Sequence, residues 1–260
     1  MPWVFAKEVS GCTRPLWIAA SPLGRTLVIG EDGQVTGTTR DVFARIAATT
    51  DCQFQYVVVP RARAFTMLKN GQVDIVTDAT LTPDRLEGSN FTEIGKAAPS
   101  LISLARDLQL DTTTTDLAAS NFSIITIHGH DYGEQYQAFI KAPAMQGRVS
   151  SASTADNAIK MLVAGRGHAI LANPFVVVDA WQRIGQGVEL YVSELQGMPS
   201  VPHGVYFSKQ KMEPDDIAKI ETALLSMLRS GELLQLSLRQ YPDWIARKFQ
   251  GTINKAPGSK

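Results

Sequence analysis

The chain has 260 residues and a mass of 28.3 kDa, and its 25 Lys and Arg balance 25 Asp and Glu, so the formal charge is zero. That balance argues against a nucleic-acid footprint or a polybasic membrane-binding surface. Hydrophobic residues make up 44% and charged residues 19%, which excludes intrinsic disorder and a coiled coil. No apolar run approaches the ~20 residues that a membrane-spanning helix needs.

A short apolar stretch opens the chain and ends in Val4-Phe5-Ala6, just before the charged Lys7 and Glu8. Its small-x-small ending is typical of a signal-peptidase site, although the stretch is too short to be a whole signal peptide. We therefore predict that residues 1–11 are the remnant of a removed signal peptide or a disordered N-terminus. The mature protein would then lie in an oxidising compartment.

The two cysteines are Cys12 and Cys52, and neither has a CxxC partner or a redox motif. They are either joined in a disulfide or are two reduced core residues. An oxidising compartment favours the disulfide. Closing that loop would stabilise the fold by roughly 4 kcal/mol in the chain-entropy model.

The first half of the chain alternates strand-like and helix-like stretches. Residues 31–34 form a turn signal between two short β-prone runs over 26–37. Apolar periodicity predicts strands over 16–20, 53–59 and 73–77, and helices over 41–48 and 62–70. Strands that alternate with helices predict right-handed crossovers and a parallel sheet.

The second half repeats this scheme. The predicted strands are 122–127, 146–149 and 169–171, and the predicted helices are 132–140, 154–164, 215–230 and 232–241. The last residues, 246–260, read as a loose tail.

One internal repeat links the two halves. Residues 67–76 and 161–170 match at a constant offset as a helix end, a capping Gly and a buried strand. Two copies predict two similar α/β lobes, and ligands of such sheets bind beyond the carboxyl ends of the strands. The residues expected in the cleft are Thr77, Asp78 and Thr80 from the first lobe and Asn173 from the second.

Arg85 lies in a predicted helix start, with Thr82 as N-cap and Pro83 at the first helical position. A cation in the first turn of a helix opposes the helix dipole by ~0.3 to 1 kcal/mol. Two explanations are open: Arg85 holds an anion, or it is a surface residue paired with Asp84 or Glu87.

Several motifs together resemble the bacterial extracellular solute-binding proteins of family 3, over about residues 16–244. The closing segment, 204–209 and 231–241, is also similar to that family. The motifs are Pro60-Arg61-Ala62-Arg63-Ala64-Phe65, Leu68-Lys69-Asn70-Gly71-Gln72-Val73-Asp74, Thr82-Pro83-Asp84-Arg85 and Asn90-Phe91-Thr92.

The resemblance implies a two-lobed periplasmic-binding-protein type II fold, each lobe a mostly parallel sheet flanked by helices, with the ligand cleft between them. Lobe 1 would comprise 12–101 and 205–245, and lobe 2 would comprise 102–204. The protein would be a periplasmic monomer that closes on a small carboxylate-bearing ligand and delivers it to a membrane ABC permease.

The resemblance also assigns roles. Arg85 would clamp the ligand carboxylate, a good match because a planar guanidinium fits two oxygens. Thr77, Asp78 and Thr80 would add hydrogen bonds. No metal or cofactor is expected.

Two departures from the family pattern bear on the ligand. Asn173 stands where an acidic residue usually receives the ligand ammonium, and an Asn supplies no anionic partner. Asp78 could supply that charge from the other lobe. The loop after the first strand offers Arg25 in place of an aromatic residue, and Arg61 and Arg63 lie near the rim, which favours an anionic ligand.

His128, Gly129, His130 and Asp131 follow the first strand of lobe 2. As metal ligands they form a weak motif, and a strand-to-helix turn with Asp131 as helix cap is the simpler interpretation. If the loop faces the cleft, His128 or His130 binds the same anion as Arg85. Protonation of the histidine would then make affinity depend on pH.

Catalytic motifs are absent from the sequence: there is no Gly-x-Ser-x-Gly, His-Glu-x-x-His, phosphate-binding loop or dinucleotide fingerprint. The same fold hosts cyclohexadienyl-dehydratase-like enzymes, so an enzyme with Glu93 as its acid is the alternative to a carrier. A ligand-sensing module is a third interpretation.

Overall fold

A computed structural model describes residues 11–104, 112–185, 187 and 189–250. The strands are β1 Leu16–Ala20, β2 Val28–Ile29, β3 Val35–Thr36, β4 Phe54–Val58, β5 Ile75–Thr80, β6 Ser89–Ala97, β7 Ser100–Ser103, β8 Ile124–Ile127, β9 Val149–Ala152, β10 Ala169–Ala172, β11 Tyr191–Glu194 and β12 Val201–Ser208. The helices are α1 Thr38–Thr50, α2 Arg61–Lys69, α3 Pro83–Leu86, α4 Thr114–Ala119, α5 Glu134–Lys141, α6 Ala155–Val163, α7 Pro174–Ile184, α8 Pro214–Arg229, α9 Glu232–Gln240 and α10 Asp243–Gln250.

Two five-stranded sheets form the two lobes that the internal repeat predicts. The first has the order β4-β1-β5-β12-β6 and the second the order β11-β7-β10-β8-β9. In each sheet four strands run in one direction, and one strand, β12 in the first sheet and β7 in the second, runs antiparallel to its two neighbours. The chain leaves the first sheet after Ala97 and returns to it at Val201, a few residues from the predicted crossings. The predicted type II fold is confirmed.

The repeated turn has the same geometry in both lobes. Gly71 and Gly165 adopt φ of 65° and 67°, a left-handed conformation that glycine reaches without strain. The amides of Gln72 and Arg166 donate to the carbonyls of Met67 and Met161 at 2.8 and 2.9 Å. Each bond closes a helix end and aims the next strand into its sheet.

Apolar residues of the helices and strands fill the core of each lobe. In lobe 1, α1, α8 and α9 cover one face of the sheet through residues such as Phe43, Ile220 and Leu224. In lobe 2, α6 and α7 pack on the sheet through Ile159, Leu162 and Val177. Within the described residues, no helix combines the length and apolar character needed to cross a membrane.

The N-terminal part of lobe 1 is fastened by covalent and ionic links. The structure contains the disulfide between Cys12 and Cys52, which confirms that pairing. Arg14 donates two hydrogen bonds, of 3.0 and 2.6 Å, to the fully buried carboxylate of Asp74 at the start of β5. The predicted signal remnant at residues 1–10 lies outside the described residues.

The C-terminal end differs from the prediction. Residues 246–260 read as a loose tail, but α10 runs to Gln250 and Ala246 is fully buried. Ile245 and Ala246 pack with Phe175 and Val176 of lobe 2, so α10 joins the two lobes. The rest of the predicted tail lies outside the described residues.

Candidate functional site

A small polar cavity lies between the lobes, where the carboxyl ends of the parallel strands meet. Its volume is about 30 Å³, space for one or two water molecules. A larger ligand therefore enters only when the lobes separate. The lining residues are Arg61, Asp78, Thr80 and Arg85 from lobe 1 and His130, Asp131, Tyr132, Asn173 and Val176 from lobe 2.

Arg85 reaches this cavity from the short helix α3. Its Nη1 donates to the carbonyl of Thr80 at 2.9 Å, and its guanidinium carbon lies 3.8 Å from the centre of the Phe65 ring. The alternative that Arg85 pairs with Glu87 is wrong, because Glu87 binds Lys69 at 2.6 Å. Burial lowers the pKa of Arg85, which shows that its charge has lost solvation.

Arg61 is a cleft residue that the site prediction did not include. It begins α2 directly after Pro60, and Nη1 and Nη2 donate to the carbonyls of Thr77 and Asp78 at 3.0 and 2.7 Å. Burial, followed by the nearby charge of Arg85, lowers the pKa of Arg61 to about 10. The rule that ligands bind beyond the carboxyl ends of parallel strands also applies to β4. Because β4 runs parallel to β1, the residues just after β4, including Arg61, lie at the same edge of the sheet.

Asp78 lies at the end of β5 in a conformation that few non-glycine residues adopt. Its φ is 52°, and its Oδ2 accepts a hydrogen bond of 2.6 Å from the hydroxyl of Thr39. Burial raises the pKa of Asp78, while the bonds from Thr39 and Thr77 oppose that shift. Strain of this kind concentrates at functional sites.

The loop after β8 supplies the opposite wall. Thr80 of lobe 1 donates to the carbonyl of Asp131 at 2.9 Å, a direct bond between the lobes. Gly129 has φ of 76°, as the turn prediction required. The predicted cap by Asp131 is wrong: α5 begins after Gly133, and the Asp131 carboxylate accepts the amide of Gly133 at 2.8 Å in the turn before it.

The two histidines of this loop separate. His130 lines the cavity, where burial and the charges of Arg61 and Arg85 lower its pKa to about 3, so it is neutral near pH 7. His128 is exposed and does not line the cavity, because it follows β8 on the solvent side of the turn. Within the part of the chain that the structure describes, no group of three or more His, Cys, Asp or Glu is arranged to hold a metal ion.

Three further predicted residues take different places. Thr77 is buried beside the cleft, in a neighbouring cavity with Thr39 and Ser237, and meets the site through its carbonyl. Arg25 turns away from the cavity and contacts Asp179 of lobe 2 at 3.4 Å. Glu93 lies in β6, where it pairs with Gly204 of β12, and does not line the cavity.

Asn173 lies where it was predicted, at the end of β10. Its side chain makes no capping bond to α7, so its amide is available to the cavity it lines. The eleven-residue helix α7 begins at the next residue, and its N-terminus brings positive potential to this side. The structure thus brings together Arg85, Thr80, Asp78, Asn173 and His130 of the predicted residues, and adds Arg61.

Comparisons with known proteins identify the family and the fold. The model of the family described as "Bacterial extracellular solute-binding proteins, family 3" matches residues 23–241. Among curated proteins, none matches the chain.

Solved structures share the two-lobed fold at low identity, and this likeness shows the fold alone. The GluR0 ligand-binding core in complex with L-glutamate is 19% identical, with a TM-score of 0.71, over 88% of this chain and 99% of that one. The arginine-, lysine-, histidine-binding protein ArtJ from Geobacillus stearothermophilus is 16% identical, with a TM-score of 0.71, over 88% and 95%. The ancestral amino acid-binding protein AncCDT-1, a precursor of cyclohexadienyl dehydratase, is 17% identical, with a TM-score of 0.71, over 88% and 95%.

Proposed function

Since the chain belongs to the bacterial extracellular solute-binding proteins of family 3, we propose that it captures a small carboxylate-bearing ligand in the cavity between its lobes. The protein would act as a periplasmic monomer and deliver the ligand to an ABC-type permease. The observation that carries the ligand class is Arg85, a half-buried guanidinium that faces the cavity.

Arg85 has the properties of an anion receptor. Among the described residues, no carboxylate lies within 4.0 Å of its guanidinium, although burying a charge without a partner is costly. One of its five N–H groups is used by Thr80, and its stacking on Phe65 fixes the plane of the fork. A ligand carboxylate would accept two parallel bonds from such a group.

The neighbours support a ligand of amino-acid size. Two of the structures named above are described as an amino-acid-binding protein and as a complex with L-glutamate, and ArtJ is described as binding three cationic amino acids. In the present cleft Arg61 and Arg85 line the cavity beside Asp78 and Asp131, and the lobe 2 strand ends in neutral Asn173.

Closure follows from the split of the site between lobes. A ligand held by Arg85 and Thr80 in lobe 1 gains contacts with His130 and Asn173 only when lobe 2 approaches. Those additional contacts favour the closed state by their differential affinity. The cavity of about 30 Å³ is too small for a ligand of several carbon atoms, so the lobes would be further apart in the ligand-bound state than they are here.

The test is a thermal-unfolding and calorimetric screen against amino acids, dicarboxylates and aromatic acids, with Arg85→Ala and Arg63→Ala as a matched pair. Arg63 is an exposed arginine on α2 and does not line the cavity. A ligand at a hundred times its dissociation constant adds about 2.7 kcal/mol to the folded state. We expect a carboxylate hit that Arg85→Ala abolishes and Arg63→Ala keeps. Full binding by folded Arg85→Ala would refute the site.

An enzyme remains the second candidate, favoured by the likeness to a precursor of cyclohexadienyl dehydratase. The cavity also holds Asp78, whose pKa burial raises, and neutral His130, two groups able to exchange protons. Each ligand that binds is therefore incubated with the protein, and product is measured by mass spectrometry. Turnover that Asp78→Asn abolishes would replace the carrier function.

A further inference from the structure

The proposed function leaves the charge of Arg61 without a role. Arg61 lines the same cavity as Arg85 and is half-buried there. Its guanidinium carbon lies 5.4 Å from the centre of the Phe65 ring, the ring on which Arg85 also stacks. Two positive charges therefore share one aromatic side chain at the floor of the cleft.

Neither charge is neutralised by a salt bridge. Among the described residues, no carboxylate oxygen comes within 4.0 Å of either guanidinium. The two cleft carboxylates have other partners: Asp78 accepts from Thr39, and Asp131 accepts from the amide of Gly133. Lobe 2 closes over the pair with neutral His130 and Asn173 and with Asp131, which forms no salt bridge to either guanidinium.

Arg61 also keeps the donors that a ligand needs. Its bonds to the carbonyls of Thr77 and Asp78 use two of its five N–H groups, which leaves three. Those bonds hold the guanidinium in place against the end of β5. The group is therefore positioned in advance, which lowers the ordering cost of binding.

We propose that Arg61 binds a second anionic group, so that the protein selects ligands with two carboxylates over monocarboxylates of the same length. This inference rests on the proposed function, in which Arg85 holds the first carboxylate. A single carboxylate would leave one half-buried guanidinium without an anion, whereas a dicarboxylate pairs both.

The alternative is that Arg61 is purely structural and only fixes the strand end through the two carbonyls. The two roles differ in what a neutral replacement does. Loss of a structural support weakens all ligands in the same proportion, because it disturbs the wall that they share. Loss of an anion receptor weakens only the ligands that carry the second carboxylate.

The experiment uses ligands matched in length: succinate, L-aspartate and L-asparagine, and glutarate, L-glutamate and L-glutamine. Calorimetry measures each against the wild type, Arg61→Gln, Arg61→Lys and the control Arg63→Gln. Gln retains N–H donors for the carbonyls but has no charge, and Lys retains the charge without the fork. Comparing glutarate with L-glutamate shows whether the ligand also needs an ammonium group.

We expect the wild type to bind at least one diacid roughly 10-fold or more tightly than its amide counterpart, since charged hydrogen bonds discriminate on this scale. Arg61→Gln should weaken diacid binding roughly 10- to 100-fold and change amide binding less than about 3-fold. Arg61→Lys should keep part of the preference, and Arg63→Gln all of it.

Three results would overturn the inference: no diacid binds the wild type, the amides bind as tightly as the diacids, or Arg61→Gln weakens both classes equally. The first two results are measured on the wild type alone, so they can refute the inference even if Arg61→Gln fails to fold. Arg85→Ala tests the proposed function separately from the role of Arg61. Suppose that the wild type binds an amide as tightly as its diacid and that Arg85→Ala no longer binds that amide. The proposed function is then supported, and the role of Arg61 is refuted.

Discussion

The two lobes repeat one structural unit but end it differently. In both, a helix closes on a left-handed glycine, Gly71 or Gly165, and passes into a buried strand. Lobe 1 places the strained Asp78 from the end of β5, Arg61 from α2 and Arg85 from α3 at the cleft. After β10, lobe 2 places Asn173 there and begins α7.

This difference divides the work of binding between the lobes. Lobe 1 carries both guanidinium groups and also the disulfide, so its charged wall is built on a cross-linked frame. Lobe 2 brings a neutral imidazole, an amide, the Asp131 carboxylate and a helix N-terminus. With the proposed function, this contrast leads us to propose that lobe 1 captures the ligand and that lobe 2 then closes on it. Substitutions and pH changes that affect the approach of lobe 2, while Arg61 and Arg85 stay in place, therefore test this contrast.

The largest effect is expected at Gly24, where the lobes come into backbone contact. A Cβ there would lie 2.2 Å from the carbonyl oxygen of Phe175 in α7, so Gly24→Ala cannot close as observed. A steric insertion of this size costs about 1–3 kcal/mol, which corresponds to roughly 5- to 150-fold in affinity if it acts on closure. Calorimetry with the identified ligand measures the loss.

Gly33→Ala is the matched control for Gly24→Ala. Gly33 also has a positive φ, 79° against 52°, but a Cβ there meets nothing within 4 Å. Both variants should lose about 1 kcal/mol of unfolding free energy through the backbone alone. Equal affinities in the two variants would show that contact at Gly24 does not accompany closure.

The second effect is a dependence of closure on pH, which we attribute to the imidazole of His130 in lobe 2. His130 has a pKa of about 3 in the closed cavity, against about 6.5 when exposed. The open state therefore binds the proton more tightly, and the closed ligand-free state loses stability as the pH falls below 6.5. The loss is at most about 1.4 kcal/mol per pH unit, and it stops growing near pH 3. Above pH 7 His130 contributes no pH dependence.

Small-angle scattering of the ligand-free protein between pH 7.5 and pH 5 checks this. The wild type and His128→Gln should expand on acidification, and His130→Gln should expand less. Asp78 acts in the opposite direction, because burial raises its pKa and protonation then favours closure. The difference between the two histidine variants removes that contribution. Identical curves for His130→Gln and His128→Gln would contradict a buried, titrating His130.

Local sequence signals were sufficient to locate the helices and strands of each lobe, but they were insufficient to predict which strands pair with each other. The glycine turns and apolar periodicity located α2 and α6 to within one residue at each end. β5, however, runs to Thr80, three residues beyond the prediction, because Thr80 pairs with His203 in β12. That partner lies far along the chain, and no local pattern contains it.

The site shows the same division. Strand-end reasoning correctly brought Asp78, Thr80 and Asn173 to one cavity, because the carboxyl ends of parallel strands meet. It could not decide which loop arginine faces the cavity. Arg61 is turned inward by the carbonyls at the end of β5, and Arg25 is drawn outward by lobe 2, so in both cases a distant partner sets the direction.

The smallest effect is expected at Arg25, now placed between the lobes instead of on the ligand. Its side chain is about one third exposed and meets Asp179 and Gln182 of α7, as well as the carbonyl of Gln240 at 2.9 Å. Exposed ion pairs contribute about 0.2–1 kcal/mol and are screened by salt. Arg25→Gln should therefore weaken ligand binding only about 2- to 5-fold, through faster release.

A double-mutant cycle with Asp179→Asn distinguishes this contact from a ligand contact. If the pair acts as a link between lobes, Arg25→Gln and Asp179→Asn have less than additive effects on the dissociation rate, and the coupling decreases at high salt. If Arg25→Gln instead weakens ligand binding 100-fold or more, whether or not Asp179 is present, Arg25 contacts the ligand directly. That outcome would also weaken the contrast between the lobes, because Arg25 would then be a third charged receptor whose position changes on closure.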